Sequence, residues 1–144
     1  MSPADAADFV ARFASFWSAP APERLGELLA EDVRLVTPMT PDSTTLEGAR
    51  RSFAEIFELM TDLTGEVRRW GPTEDGVLIE LTLSGAIGGR LVSLDATDRI
   101  GIGEDGLAKE RVSYFDPTPL VLTALRRPRA WPPLARTQLS RLRG

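Results

Sequence analysis

The sequence predicts an α+β domain in which three helices come first and an antiparallel sheet follows. Apolar residues recur at helical spacing within the first 61 residues, and between residues 66 and 115 they alternate with polar residues as in strands. The turn signals Asp75-Gly76 and Asp105-Gly106 separate the alternating segments. A chain of 144 residues fits one such domain with a core of ordinary size.

The N-terminal part predicts helices around one short strand. Phe and Trp side chains at helical spacing predict the first helix over residues 4–18, and two prolines then interrupt the pattern. A shorter helix over residues 22–30 turns three leucines inward, and Val33–Thr37 alternates as a strand. Residues 39–45 form a polar loop, and the third helix spans about residues 47–61 with its phenylalanines on one face.

The C-terminal part predicts a four-stranded antiparallel meander. Strands are expected at Glu66–Trp70, at residues 77–83, at Arg90–Ile102 and at Leu107–Phe115. Glycine-containing turns lie between them, as expected for hairpin connections. The earlier short strand is added to this meander, and Leu120–Leu125 forms a helical turn or a short helix.

One carboxylate, Asp98, lies in an otherwise apolar row of the strand Arg90–Ile102. An ionised Asp cannot lie dry among aliphatic side chains, so it must be protonated, meet a cation or a donor, or line a wet cavity. Each of these arrangements makes Asp98 the most informative residue of the chain. With a period of two, the residues that share its face are Val92, Leu94, Ala96, Ile100 and Ile102.

The composition limits the chemistry that the chain can perform. The sequence has no Cys and no His, which excludes a thiol nucleophile and a Ser-His-Asp triad and disfavours zinc and haem sites. Carboxylates, hydroxyls, Tyr and Arg remain for proton transfer, so we expect chemistry with no metal and no cofactor. No apolar run is long enough for a membrane span, and the N-terminus does not resemble a signal peptide. Because the chain has no Cys and therefore no disulfide framework, we expect a cytoplasmic location.

Charge is unevenly distributed along the chain. Residues 1–125 hold 11 Lys and Arg against 21 Asp and Glu, a net charge of −10, whereas residues 126–144 hold six Arg and no acid. An acidic body with a basic tail is not typical of a nucleic-acid-binding protein. The tail is either a short basic helix after Pro133 or a disordered end. We expect it to lie over the acidic body or over a second subunit, and contact with a membrane is the alternative.

Three segments resemble the nuclear transport factor 2-like superfamily, which includes SnoaL-like polyketide cyclases and ketosteroid isomerases. They are LLAEDVRLVTP at residues 28–38, LEGARRSFAEIF at residues 46–57 and LDATDRIGIGEDGLAKERVSYFDP at residues 94–117. The resemblance implies a cone-shaped roll in which three N-terminal helices pack on a strongly curved, mostly antiparallel sheet. Residues 1–125 would form this domain, and residues 126–144 would be its Arg-rich tail.

The resemblance also implies a cavity between the helices and the concave face of the sheet, with Asp98 as its catalytic acid or base. Alternation alone leaves open whether Glu110 or Arg111 belongs to the inward row of the last strand, and the resemblance favours Arg111. The chain departs from the isomerases, since Thr37 stands at the position of their base and Phe13 at that of their oxyanion-hole Tyr. The residues expected to contact a substrate are Phe13, Trp17, Thr37, Phe53, Phe57, Met60, Leu81, Arg111, Ser113 and Phe115.

Two functions fit these expectations. In the first, the chain binds a lipophilic carbonyl compound (a polyketide, steroid-like molecule or terpenoid), and Asp98 transfers a proton in a cofactor-free isomerisation or cyclisation. In the second, the cavity is vestigial and the outer face of the sheet, near Trp70, forms a homodimer or binds a partner. A deep cavity that reaches an unpaired Asp98 favours the first function, and a filled cone in which Arg111 pairs with Asp98 favours the second.

Overall fold

The computed structural model describes residues 2–143 and consists of helices packed on one curved, open sheet of six strands. This confirms the α+β class and the cone-type architecture. The helices are α1 (Pro3–Ser18), α2 (Leu46–Leu59), α3 (Thr118–Leu125) and α4 (Trp131–Arg143), with 3₁₀ turns at Pro22–Glu27 and Pro128–Ala130. The strands are β1 (Leu29–Thr37), β2 (Thr40–Ser43), β3 (Thr61–Pro72), β4 (Gly76–Ile87), β5 (Arg90–Ile102) and β6 (Ala108–Tyr114).

The two helices that cover the sheet begin at residues suited to capping. Ser2 caps α1, because its hydroxyl accepts a hydrogen bond from the Asp5 amide at 3.1 Å while the Asp5 carboxylate accepts one from the Ser2 amide. Thr45 caps α2 in the same way, with its hydroxyl accepting from the Gly48 amide at 3.0 Å. These caps fix where each helix starts and therefore which side chains face the sheet.

The strand order β2-β1-β6-β5-β4-β3 places β5 inside the sheet. β5 pairs with β4 along its whole length, from Gly76 opposite Gly101 to Ile87 opposite Arg90. Its C-terminal half also pairs antiparallel with β6, and β6 in turn pairs parallel with β1. A side chain on the inner face of β5 is therefore flanked on both sides by paired strands, which is the position of Asp98.

Two N-terminal elements differ from the prediction. The expected second helix is a 3₁₀ turn that ends at Glu27, because β1 begins at Leu29, earlier than predicted. Leu25 and Leu28 are nevertheless buried. Their spacing therefore indicates which residues face the core, but it does not distinguish an α-helix from a 3₁₀ turn. The expected polar loop contains the short edge strand β2, which pairs with β1 at only two positions. Its polar composition and Pro41 are tolerated because the strand lies at the sheet edge.

The core lies between the helices and the concave face of the sheet. α1 contributes an aromatic row, Phe9, Phe13, Phe16 and Trp17, and every member is buried. Phe53 of α2 meets the rings of Phe16 and Trp17 at centroid distances of 6.5 and 6.0 Å. These aromatic contacts join the two helices over β5 and β6.

The C-terminal segment is helical and packs on the body. α4 contacts α2 and β2, and it buries Leu134 and Thr137. The sequence left open whether the tail is a short helix or a disordered end, and the structure contains a helix. This helix starts at Trp131 and not after Pro133. Within residues 2–143, none of the helices combines the length and apolar character that crossing a membrane requires.

Candidate functional site

The strand register brings Asp98 and Arg111 together on the inner face of the sheet. Asp98 lies opposite Ser113 of β6, and Arg111 is two residues earlier on the same strand. Residues in this diagonal relation on one face are within reach of long side chains. Arg111, Ser113 and Phe115 all line the central cavity, whereas Glu110 points the other way. The last strand thus has the orientation that the family resemblance favours.

Asp98 and Arg111 form a buried ion pair. The Arg111 Nε donates to Oδ2 of Asp98 at 2.7 Å, and Nη2 lies 2.6 Å from the same oxygen. The side chains of Asp98 and Arg111 are only 1% and 8% exposed. Within residues 2–143, Oδ1 of Asp98 has no hydrogen-bond partner, and Nη1 of Arg111 donates to no residue. One carboxylate oxygen and one guanidinium nitrogen are therefore left for another molecule.

Three aromatic rings surround the guanidinium of Arg111. Its central carbon is 5.8, 5.5 and 5.3 Å from the ring centroids of Phe13, Trp17 and Phe53. A cation over such rings is stabilised by the negative charge density of their faces. The rings belong to α1 and α2, whereas Asp98 belongs to β5. The guanidinium is therefore contacted by both helices and, through Asp98, by the sheet. This arrangement fixes the orientation of the guanidinium.

The cavity in front of this pair is narrow and mostly apolar. It holds about 520 Å³ of empty space including its open mouth. The polar groups in its wall are the ion pair and a small set of hydroxyls. Besides Asp98, eight polar and aromatic residues line the cavity: Trp17, Thr37, Thr40, Ser52, Phe53, Arg111, Ser113 and Phe115.

Four of the residues expected to contact a substrate lie outside this lining. Phe13 packs behind the Arg111 guanidinium, and Leu81 is fully buried in β4. Phe57 packs against the Phe53 ring at a centroid distance of 5.7 Å. Met60 lines a second, smaller apolar cavity. Strand alternation and helical spacing identify which residues face inward, but they do not distinguish a cavity wall from the packed core behind it.

Several lining residues were not anticipated from the sequence. Thr40 was placed in a loop, yet its buried hydroxyl has no hydrogen-bond partner within residues 2–143. Ser52 is one residue before Phe53 on the inward face of α2, and its hydroxyl is 3.3 Å from that of Ser43. Helical spacing from Phe53 would have identified Ser52. The remaining unanticipated members are Leu35, Ile56, Leu63, Leu83 and Ala96.

The opposite face of β6 carries a separate, exposed charge cluster. Glu110 accepts hydrogen bonds from Arg34 and Arg99, each at 2.8 Å. Two hydrogen bonds hold the pKa of the Glu110 carboxyl below its usual value, and the one from Arg34 has a larger effect than the one from Arg99. This cluster joins β1, β6 and β5 on the outer surface and does not reach the cavity.

A family model described as the SnoaL-like domain matches residues 10–111. A structure assigned as a SnoaL-like polyketide cyclase from Jannaschia sp. CCS1 is 20% identical, with a TM-score of 0.73 over 89% of this chain and 97% of that chain. A hypothetical protein with a ketosteroid isomerase-like fold from Catenulispora acidiphila, in complex with trimethylamine, is 18% identical, with a TM-score of 0.73 over 91% and 98%. TerC, co-crystallised with polyporic acid, is 15% identical, with a TM-score of 0.71 over 80% and 94%. At these identities the structural likeness shows the fold, and none of the curated proteins compared with the chain matches it.

Proposed function

The chain belongs to the SnoaL-like domain family, and we propose that it binds a small, lipophilic carbonyl compound in the cavity that reaches Asp98 and Arg111. The observation that carries this proposal is the pair of unused polar atoms, Oδ1 of Asp98 and Nη1 of Arg111, at an otherwise largely apolar cavity. Apolar walls around a few polar groups are typical of small-molecule sites. TerC, which shares the fold, was co-crystallised with polyporic acid, and this supports a small organic ligand for the present chain.

The polar groups specify what such a compound must carry. Arg111 and the hydroxyls of Thr40 and Ser113 are donors suited to a carbonyl oxygen. The carboxylate form of Asp98 accepts hydrogen bonds only, so Oδ1 is suited to a hydroxyl or an enol. A ligand with a carbonyl group and a neighbouring hydroxyl or enol would satisfy both ends of the pair. The rest of the molecule would pack against Trp17 and Phe53.

A second candidate function, proton transfer, is favoured by the free Oδ1 of Asp98. A carboxylate in this position can take a proton from a carbon next to the carbonyl group, while the donors on the wall stabilise the enolate oxygen. The same carboxylic acid can return the proton elsewhere, which gives isomerisation or an aldol-type cyclisation without a cofactor. The pairing with Arg111 supports the non-catalytic alternative, because Arg111 already occupies Oδ2 of the carboxylate.

Binding can be tested with 2-tetralone, a compact apolar ketone. In a Trp70→Phe/Trp131→Phe background, Trp17 in the cavity wall is the only tryptophan, so its fluorescence reports on the site. We expect saturable quenching by 2-tetralone. Ala96→Leu fills the cavity from its sheet side and should abolish saturation, whereas Asp95→Asn, on the exposed face of the same strand, should not. Quenching that does not saturate, or that persists in Ala96→Leu, would refute the binding proposal.

Proton transfer can be tested with the same ketone. Exchange of its C1 hydrogens for deuterium in D₂O is followed by NMR with and without protein. Catalysis requires exchange above the buffer rate that is lost in Asp98→Asn and retained in Asp95→Asn. If the wild-type protein binds 2-tetralone without accelerating exchange, the non-catalytic function is the correct one for this ketone, and the binding proposal is unaffected.

A further inference from the structure

The C-terminal part of the chain presents an exposed apolar surface, and none of the residues in this surface lines the cavity. Large apolar side chains normally lie inside a protein, and a contiguous exposed group of them marks an interaction site. Trp131 is 54% exposed and Leu142 is 84% exposed. We call the exposed residues of this region the C-terminal face: Leu122, Leu125, Trp131, Leu139 and Leu142.

Helical periodicity places three of these residues on one side of α4. Trp131, Leu139 and Leu142 are separated by eight and three residues, so they project from the same side, and the exposed Ala135 fills the gap between them. Leu134 and Thr137 project from the other side and are buried against the body. α4 therefore packs one side against the body of the protein and exposes an apolar stripe on its other side.

The C-terminal face is held in a fixed place on the protein. The Trp131 indole N–H donates to the Leu125 carbonyl at 3.1 Å, which joins α4 to the end of α3. Arg136 pairs with Glu58 of α2, and Ser140 donates to Glu55. A Cβ at Gly88, in the β4–β5 turn, would collide with the Cβ of Arg127, so the chain between α3 and α4 packs closely against that hairpin. The stripe is thus presented by a docked helix.

The C-terminal segment of the sequence carries charge of one sign, although its Arg136 is paired with Glu58 of α2. Six Arg and no Asp or Glu follow Asp116 in the sequence. Arg126 and Arg129 are exposed and lie between α3 and α4, next to Leu125 and Trp131. A surface that combines Trp and Leu with Arg fits the boundary between the headgroups and the acyl chains of an anionic bilayer. The net charge of −10 on residues 1–125 would orient the body away from such a membrane.

We propose that the C-terminal face docks on an anionic lipid bilayer, with Trp131, Leu139 and Leu142 at the interface and with Arg126 and Arg129 on lipid phosphates. A second copy of the chain is a poorer occupant, because a two-fold symmetric contact would bring the Arg clusters of both copies together. The proposal is independent of the function of the cavity. Such docking differs from spanning the bilayer, because α4 would lie along the membrane surface.

The full chain is tested by co-sedimentation with vesicles of phosphatidylcholine alone and of phosphatidylcholine with phosphatidylglycerol. We expect binding to the anionic vesicles only, with a loss of affinity as NaCl is raised. Each basic residue near such a surface contributes about 1 kcal/mol, so Arg126→Gln/Arg129→Gln should bind roughly 25-fold more weakly. Trp131→Ser/Leu139→Ser should lose at least about tenfold because two apolar contacts are removed.

Matched controls keep the test specific. Arg68→Gln/Arg69→Gln removes the same charge from the exposed face of β3, and Leu78→Ser removes an exposed leucine from β4. Both should bind as the wild type does. Equal binding to neutral vesicles, or equal losses in the controls, would overturn the proposal. Absent binding to the anionic vesicles would also overturn it. If sedimentation velocity then shows a dimer that Trp131→Ser/Leu139→Ser dissociates, the occupant of the face is a second copy of the chain.

Discussion

The two members of the buried ion pair should have unequal effects on stability when each is removed. Arg111→Met takes away the hydrogen bond and the ion-pair contact that Arg111 makes with Asp98, and it leaves a carboxylate that is 1% exposed without a counter-charge. Asp98→Asn leaves the Arg111 cation with an amide oxygen as acceptor and with the rings of Phe13, Trp17 and Phe53 around it. The cation is therefore the better supported of the two charges.

The magnitudes follow from these contacts. Removing one partner of a buried pair costs about 3–5 kcal/mol, and we assign this cost to Arg111→Met. The three rings within 5.8 Å each contribute about 0.5–1 kcal/mol to the remaining cation in Asp98→Asn. Asp98→Asn should therefore cost only about 1–2 kcal/mol. Since about 1 kcal/mol corresponds to roughly 3 °C in a domain of this size, the two melting temperatures should differ by several degrees.

The assay is urea unfolding at pH 7, followed by tryptophan fluorescence, of the wild type, both single variants and Asp98→Leu/Arg111→Met. The double variant replaces the pair by apolar side chains, so it should be more stable than Arg111→Met alone. Equal slopes of the unfolding free energy against urea are needed for the comparison. The reasoning is refuted if Asp98→Asn costs as much as Arg111→Met, or if the losses of the single variants simply add in the double variant.

Two further results are expected elsewhere in the fold. The pKa of Glu110 is lowered in the folded state, so its contribution to stability is present above the usual value of 4.5 and is lost as the pH falls through the folded-state pKa. Glu110→Gln should therefore be less stable than the wild type at pH 7. In thermal melts the difference between the two proteins should disappear at acidic pH. A Cβ at Gly76 would overlap the carbonyl oxygen of Ile100, whereas one at Gly71 meets nothing within 4 Å. Gly76→Ala should therefore lower the melting temperature strongly and Gly71→Ala should not, and equal melts would contradict this account of the β4–β5 pairing.

The sequence specified the inner face of the sheet well because strand periodicity is strict. Asp98 stands out as a carboxylate in an apolar row, and the predicted bounds of β5, Arg90–Ile102, match the observed ones. Alternation could not orient β6, since both Glu110 and Arg111 are charged and either row offers a polar residue to the interior. The family resemblance supplied that orientation, because the choice depends on the parallel pairing of β6 with β1, which is remote in sequence.

The misassigned elements have a common physical cause. The turn at Pro22–Glu27 and the strand β2 are short, so burial and edge pairing decide their conformation more than local propensity does. Thr40 was missed as a cavity residue for this reason: a strand of four residues at the sheet edge has too few alternations to reveal a face. Phe13 and Leu81 illustrate the converse, since both face inward but other side chains separate them from the cavity.

Stability alone does not account for the ion pair at the base of the cavity. Replacing a buried pair by apolar residues of similar volume is often neutral or stabilising by about 1–4 kcal/mol, and the surrounding wall of Leu35, Leu83 and Ala96 would accept such residues. Here the pair also leaves Oδ1 of Asp98 unsatisfied, which is a further cost to the folded state. A bound ligand that donates a hydrogen bond to Oδ1 would remove that cost. The unsatisfied oxygen therefore lowers the stability of the free protein and increases the free energy gained on binding. If Asp98→Leu/Arg111→Met is more stable than the wild type and no longer binds 2-hydroxy-1-tetralone, which carries a hydroxyl next to its carbonyl group, the pair is maintained for the ligand and not for the fold.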